Sequence, residues 1–212
     1  DGSSYSLGVI GEYIYLWGAQ LEQNSYATSY IPTNGTAVTR GAEPCNGAGD
    51  ASTFNSEEGT LSVEITALAD DSTYKLIGIS DDSPNNRVYV GYSTVSNTII
   101  ATLNLNNVAQ ASITHIVSDI TALSKVAFTY KNNDFNLWVN GSKVGSHTSG
   151  STFPPGTINT ATFSSGAGSS VFYGKSKQVQ VFKTALTDAE LIALTSWSSF
   201  TEMATALKYS IK

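Results

Sequence analysis

The chain has 212 residues and a formal net charge of −6, from 11 basic and 17 acidic side chains. This length suits one or two domains with a sizeable core, and the lack of a basic block argues against a phosphate-tracking nucleic-acid surface. No window approaches the ~20 apolar residues of a membrane-spanning helix, and the single cysteine, Cys45, excludes an internal disulfide.

The first third of the chain contains few clear elements. Residues 11–20 alternate with apolar side chains on both faces, which predicts a strand covered on both sides. Pro32 ends the irregular stretch that follows, residues 37–40 fit a short strand, and residues 43–54 fit a loop rich in Gly, Pro and Ala.

From Gly59 onward the sequence predicts a series of short strands. Leu61, Val63 and Ile65 alternate with polar residues, and later runs follow at fairly regular spacing. The further predicted strands cover residues 74–80, 87–93, 97–104, 113–117, 125–130, 135–140, 143–145, 171–173 and 177–182, with one more possible in the loop at 153–168. Such a series is typical of an all-β, antiparallel two-sheet sandwich of the jelly-roll type.

Two short helices are predicted at the C-terminal end. Thr187 and Glu190 form a capping box, in which each side chain can satisfy an exposed backbone N–H. Ser199 and Glu202 repeat this pattern ahead of a helix with one apolar face.

Two motifs in this series carry a family resemblance. Residues 126–130 are followed by the Leu-Trp-Val-Asn-Gly run at 137–141, and a closing strand at 179–182 leads into the helix at 185–191. In this order and spacing they resemble laminin-G-like, or concanavalin A-like, lectin/glucanase domains over residues 37–195. The resemblance implies a sandwich that recognises glycans or proteins.

A second resemblance concerns the N-terminal segment. Residues 16–22 and 25–33 are similar to a junction that recurs in phage and prophage tail proteins and in secreted bacterial proteins. This similarity implies that residues 1–36 end an upstream jelly-roll module, that residues 196–212 pack on the sandwich, and that the protein is extracellular or part of a virion.

The acidic residues do not form the motif expected of a glycosidase. Enzymes that share the resembled fold place catalytic carboxylates on alternating strand positions, where they serve as acid and nucleophile. Here Glu64 is alone in its strand, and Glu57 and Glu58 stand together at a turn with side chains expected to diverge. A non-catalytic domain is therefore predicted.

Four outward-facing side chains are the candidate ligand-binding residues. Because Val88 and Val90 should face the core, Arg87 and Tyr89 should face outward; by the same alternation Asn136 and Trp138 should face outward from their strand. If both strands share one concave sheet, the four form a patch with aromatic rings for sugar stacking and polar groups for hydroxyls. The alternative is that Trp138 is covered by the N-terminal segment or by the loop at 153–168.

Calcium is the candidate cofactor. Asp81, Asp82 and Asp134 lie in predicted turns beside Ser and Asn residues, and Ca²⁺ takes six to eight oxygen ligands that such loops can supply. The alternative is that Asp and Asn are present only because they favour turns.

These expectations define the candidate functions. The first is a non-catalytic, lectin-like module that binds a glycan or cell-surface polysaccharide. The second is a structural module that packs against copies of itself or a neighbouring tail module, and the third is a polysaccharide-cleaving enzyme. Nucleic acid and membrane insertion are not expected.

Overall fold

The computed structural model describes residues 18–21, 30–39, 48–166 and 168–196 and divides the chain into two compact units, residues 1–44 and 45–212. In the first unit the backbone N–H of Ile31 donates to Gln20 Oε1 at 2.7 Å. Residues 37–39 are not part of a strand, so that prediction is wrong for them. The predicted N-terminal strand, apart from its last three residues, and the predicted second helix and tail lie outside the described residues.

The second unit contains ten strands and one helix in its described part. They are β1 (Glu58–Ala67), β2 (Lys75–Ser80), β3 (Arg87–Tyr92), β4 (Thr98–Leu105), β5 (Val108–Ile116), β6 (Ser124–Lys131), β7 (Asp134–Val139), β8 (Ser142–His147), β9 (Thr160–Thr162), β10 (Gly174–Phe182) and α1 (Asp188–Ser196). No helix in these stretches is long and apolar enough to cross a bilayer.

The strands form two five-stranded antiparallel sheets, which confirms the predicted sandwich. Sheet I has the order β10-β1-β6-β7-β8, and sheet II has the order β5-β4-β3-β2-β9. Every second residue of the central strands points between the sheets. Among the buried apolar side chains of this core are Leu61, Val63 and Ile65 of β1, Val88 and Val90 of β3, and Phe135 and Leu137 of β7.

The observed strands differ from the predicted ones where a strand lies at a sheet edge. β5 begins at Val108, whereas the sequence predicts a start at residue 113. The predicted start is too late because the first residues of β5 are exposed and show no apolar alternation. Of the predicted strand at 171–173, only Val171 pairs, in an isolated parallel bridge to Leu76. The loop at 153–168 does contribute one strand, β9.

Helix α1 begins with the predicted capping box. The Thr187 N–H and hydroxyl donate to Glu190 Oε2 at 2.8 and 2.7 Å, and the Glu190 N–H donates back to the Thr187 hydroxyl. These hydrogen bonds lower the pKa of Glu190 below its usual value. Thr195, near the end of α1, accepts a hydrogen bond from the Gly141 N–H at 3.0 Å, which ties the helix to the β7–β8 turn.

A buried ammonium group makes one ion pair important for stability. Lys75, on the core side of β2, is 2% exposed, and its Nζ contacts the Asp71 carboxylate and the Thr73 hydroxyl. The hydrogen bond from Lys75, with a second from Thr73, lowers the pKa of Asp71 to about 2. The carboxylate is therefore ionised in the folded protein at any pH above that value.

We expect Asp71→Ala to lower the free energy of unfolding by about 1–3 kcal/mol, because it leaves the buried Lys75 ammonium group with the Thr73 oxygens but without a carboxylate. Lys75→Met, which replaces the charge with a similar apolar volume, should be neutral or stabilising. Since the folded-state pKa of Asp71 lies below its ordinary value of 3.8, its contribution is present above about pH 4 and is lost as the pH falls toward 2. Urea unfolding across this range measures both effects; an Asp71→Ala curve that matches wild type at pH 7 would contradict them.

Candidate functional site

The outer face of sheet II presents an arginine and a tyrosine at its centre. On β3, Val88 and Val90 are fully buried between the sheets, whereas Arg87 and Tyr89 lie on the opposite face and are half-buried. This confirms the prediction that Val88 and Val90 face inward and that Arg87 and Tyr89 face outward. Because β3 is the middle strand of sheet II, these two side chains have paired strands on both sides.

Arg87 is held in place by three hydrogen bonds. Its Nη1 donates to the Ser165 carbonyl oxygen at 3.2 Å. With the Asn104 amide turned so that its oxygen faces the guanidinium group, that oxygen accepts from Nε and Nη2 at 3.2 and 3.3 Å. A guanidinium group has five N–H donors. Three of them bond to described residues, so one N–H donor remains on each terminal nitrogen. Two N–H donors on the terminal nitrogens of a guanidinium group can bind a carboxylate through both of its oxygens when they point the same way.

Tyr89 lies beside Arg87 on a surface of small neighbours. The guanidinium carbon is 5.3 Å from the centre of the Tyr89 ring, which is within cation–π range. Across the strands Tyr89 is opposite Gly78 on β2 and Thr102 on β4, and the next outward position on its own strand is Gly91. With glycine at two of these positions, no large side chain from them competes for the space around the ring.

Gly91 is required by the backbone as well as by this space. Its φ is +154°, and an added Cβ would lie 2.0 Å from the Lys75 carbonyl oxygen on β2. A side chain at this position would therefore displace the backbone of the paired strand.

The loop between β9 and β10 forms one wall of this surface. The Ser80 hydroxyl donates to the Gly166 carbonyl oxygen at 2.8 Å, and the Ser165 hydroxyl is bonded to Ser169 at 2.8 Å. A Cβ at Gly78 would lie 3.1 Å from the Ser164 carbonyl oxygen, so the loop passes close over β2. The wall is fixed to the sheet and places a carbonyl oxygen against Arg87.

On the side away from this wall lie two neighbouring hydroxyl groups, those of Thr102 and Ser112. Thr102 pairs with Ser112 on β5, and their hydroxyl oxygens are 3.0 Å apart. Thr102 is buried and Ser112 is exposed. We call the surface formed by Arg87, Tyr89, Asn104, Thr102 and Ser112, with the wall at residues 164–166, the β3 platform.

Asn136 and Trp138 do not belong to the β3 platform, so the prediction of one four-residue patch is wrong. β7 lies in sheet I, whose outer face points away from the outer face of sheet II. The two pairs of residues face outward, as predicted, but from opposite sides of the sandwich. Strand alternation fixes which face a residue occupies in its own sheet but does not determine which strands share a sheet.

Trp138 is covered, and by an element that neither alternative predicted. It is 4% exposed and packs with Ala127 and with Leu191 of α1. Lys143 Nζ lies 5.4 Å from the centre of its ring. Asn136 donates to the Thr129 hydroxyl at 3.3 Å and to Asp134 Oδ1 at 2.8 Å. Trp138 is therefore part of a small second core under α1.

The three aspartates predicted to hold calcium act in turns. Asp81 accepts hydrogen bonds from Ser83 and Asn86; partial burial tends to raise its pKa, but these bonds outweigh burial and lower it. Asp82 has a φ of +63°, and Asp134 accepts from Asn136. Within the described ranges no three His, Cys, Asp or Glu side chains come together as a metal-binding group. Calcium binding at these loops remains a prediction.

Glu64 and Glu58, two of the glutamates considered as catalytic groups, form ion pairs with lysines. Glu64, on the outer face of sheet I, is 9% exposed and lies between two ammonium groups, Lys125 and Lys177, both at 3.2 Å. Glu58 pairs with Lys131 at 3.1 Å. Neither ion-paired carboxylate lies on the β3 platform.

An apolar slot of about 380 Å³ lies elsewhere, beside β9 and β10, which are edge strands of the two sheets. Its lining includes Phe54, Phe163, Val179 and Val181. Its described lining residues carry no charge and offer little for a polar ligand, in contrast to the β3 platform.

Comparison with known families agrees with this architecture. A family model described as the concanavalin A-like lectin/glucanases superfamily matches residues 47–192, which is well over half of the chain. The chain belongs to this superfamily. A search of curated proteins found no significant match.

Solved structures of the superfamily's fold are similar to the sandwich at low sequence identity. The carbohydrate-binding module CBM40 of the Ruminococcus gnavus IT-sialidase, bound to α2,3-sialyllactose, has a TM-score of 0.55 and 17% identity, and the match covers 73% of this chain and 97% of that chain. A heptameric SAP-like pentraxin from Limulus polyphemus has a TM-score of 0.57 and 14% identity, covering 73% and 76%. The NanB sialidase of Streptococcus pneumoniae matches at 0.54 and 18%, over 69% of this chain but 25% of the enzyme. These matches show that the fold is shared.

Part of the β3 platform is predictable from strand alternation on β4. Ile99, Ala101 and Leu103 alternate on β4, which places Thr102 and Asn104 on its outer face. Their position beside Tyr89 and Arg87 depends on strand register, and the 164–166 wall depends on contacts between residues about 80 positions apart. Neither can be read from a local pattern.

Proposed function

We propose that this domain is a non-catalytic carbohydrate-binding module and that the β3 platform is its glycan-binding surface. The observation that carries the proposal is the fixed guanidinium group of Arg87, with two donors left, beside the half-buried ring of Tyr89. An aromatic ring can stack on the C–H-rich face of a pyranose, and the exposed Ser112 hydroxyl can bond to a sugar hydroxyl.

The arginine favours a glycan that carries a carboxylate. A guanidinium group held by neutral oxygen acceptors keeps its full positive charge, and no carboxylate among the described residues pairs with Arg87. A sugar carboxylate that reaches both remaining donors would form a charge-assisted, two-point contact. The similarity to a sialyllactose-bound module supports this choice of ligand class.

The same proposal includes a non-catalytic role and an extracellular setting. The ion pairs of Glu64 and Glu58 and the similarity to a carbohydrate-binding module support the first part. The second rests on the tail-protein-like segment at residues 16–33, which suggests a phage tail or secreted adhesion protein that contacts a cell surface.

Calorimetric titration with 3′-sialyllactose and with lactose tests the ligand class. We expect the acidic trisaccharide to bind and lactose to bind at least about tenfold more weakly, a difference of ~1.4 kcal/mol. Because a charge contact carries this difference, added salt should reduce it. Other carboxylated oligosaccharides, such as those built from uronic acids, extend the test.

Two results would contradict the proposal. One is equal affinity for the neutral and acidic sugars, and the other is a set of acidic oligosaccharides that all fail to bind. Repeating the titrations with calcium and with a chelator separates the calcium prediction from the glycan proposal.

A further inference from the structure

We infer that a cleft at one end of the sandwich is a second saccharide-binding site, which takes neutral sugars. The cleft has a volume of about 700 Å³ and opens where the strands of the two sheets end. It lies between the start of β1, the β4–β5 turn, the β6–β7 turn and the loop at 152–155. None of the residues that form the β3 platform lines it.

The walls of the cleft are fixed by hydrogen bonds. On one side the buried Ser56 holds the 152–158 loop, since its carbonyl oxygen accepts from the Phe153 N–H at 3.3 Å and its hydroxyl accepts from the Ile158 N–H at 3.0 Å. The Pro154 carbonyl oxygen also accepts from the Thr157 hydroxyl at 2.7 Å, closing a tight turn.

The two hairpin turns on the other side are fixed as well. The Asn133 N–H donates to the Gly150 carbonyl oxygen at 2.9 Å, and Gly150 donates back to Asn133 Oδ1 at 3.1 Å. The Asn106 N–H donates to Asn86 Oδ1 at 2.9 Å. A cleft whose walls are already ordered loses little conformational entropy when a ligand binds.

Several polar side chains that line the cleft form no hydrogen bond or ion pair with other described residues. The carboxylate of Glu57 and the amides of Asn106 and Asn132 line it, and within the described part of the chain their side chains form no hydrogen bonds or ion pairs. The cleft also has an apolar wall that includes Pro154 and Pro155. Free amide and carboxylate groups opposite an apolar wall suit the hydroxyls and the C–H face of a sugar.

The charge of the cleft selects against acidic sugars. Lys131 is neutralised by Glu58 at 3.1 Å, so the exposed Glu57 leaves the lining with a net negative charge. A sugar carboxylate would be repelled here, whereas a neutral oligosaccharide would not. The two sites of the domain therefore differ in the ligand charge that they accept.

The test maps backbone and side-chain amide shifts by NMR during titration with neutral oligosaccharides, namely maltotriose, cellotriose and xylotriose. At least one should shift the Asn106 and Asn132 signals. Asn132→Ala and Glu57→Ala should each weaken that binding about tenfold, whereas Arg87→Ala should leave it unchanged. Asn132 is chosen because, unlike Asn106 with its φ of +51°, it is outside the left-handed region.

Asn85→Ala is the matched control, since Asn85 is also an exposed turn asparagine but lies outside the cleft. Circular dichroism checks that each variant is folded. If Asn132→Ala does not fold, the Glu57→Ala variant still provides the test. Neutral sugars that leave the cleft signals unshifted up to millimolar concentration would overturn the inference. That failure is distinct from failure of the β3 platform, which is measured with acidic sugars and Arg87→Ala.

Discussion

Replacing Arg87 with alanine should weaken the binding of acidic oligosaccharides by more than about tenfold. The substitution removes the two guanidinium donors left for a carboxylate and the cation that stacks on Tyr89. Losing a two-point, charge-assisted contact should cost at least ~1.5–3 kcal/mol, or more than about tenfold in affinity. Isothermal calorimetry with 3′-sialyllactose measures the loss.

Two further variants define the cause of this effect. Arg87→Lys keeps the charge but loses the planar fork, so it should restore only a small part of the affinity. Lys175→Ala removes the same charge from the exposed face of β10 in sheet I and should bind like wild type. Full affinity in Arg87→Ala, or equal losses in the Arg87 and Lys175 variants, would contradict the assignment.

Arg87→Ala also leaves the buried Asn104 amide without its partner, so a stability loss of about 1–3 kcal/mol is expected. Binding should therefore be compared well below the unfolding temperature of each variant. A loss of affinity that persists under these conditions belongs to the contact with the ligand.

Replacing Trp138 with alanine should greatly reduce stability but should leave glycan binding unchanged in the folded protein. Trp138 is 4% exposed and fills the space between sheet I and α1, in contact with Leu191. Truncating a buried tryptophan typically costs 3–5 kcal/mol, because apolar contacts are lost and a cavity remains. Chemical unfolding monitored by circular dichroism measures the change.

Tyr89→Ala is the matched comparison for Trp138→Ala. Because Tyr89 is half-buried on an outer face and its neighbours there include Gly78 and Gly91, its removal should cost less than about 1.5 kcal/mol of stability. It should nevertheless reduce glycan affinity. Trp138→Ala, where still folded, should bind normally; a variant that keeps full stability but loses binding would show that Trp138 is a ligand contact.

The sequence was sufficient to predict the sandwich, because buried central strands alternate strictly. The runs at 61–66, 87–93 and 135–140 lie within or next to β1, β3 and β7, with the predicted inward residues buried. The capping box likewise predicted where α1 begins, since its hydrogen bonds are local. The exposed edge strand β5 was predicted too short because half of it has no apolar periodicity.

The composition of the candidate site could not be predicted in the same way. Arg87 and Tyr89 were assigned correctly to an outer face, but Asn136 and Trp138 were assigned to the same patch although β7 pairs into sheet I. Sheet membership depends on pairing between distant segments. The docking of α1 on Trp138 depends on the β7–β8 turn bonding to Thr195, a contact across 54 residues that no local pattern contains.

The measurement that tests the central claim most directly is an NMR map of the domain during titration with 3′-sialyllactose. We predict that shift changes centre on Arg87, Tyr89 and the 164–166 wall, on the outer face of sheet II. Changes centred on α1 and the outer face of sheet I, or no changes at saturating sugar, would contradict the claim that the β3 platform is the glycan-binding surface.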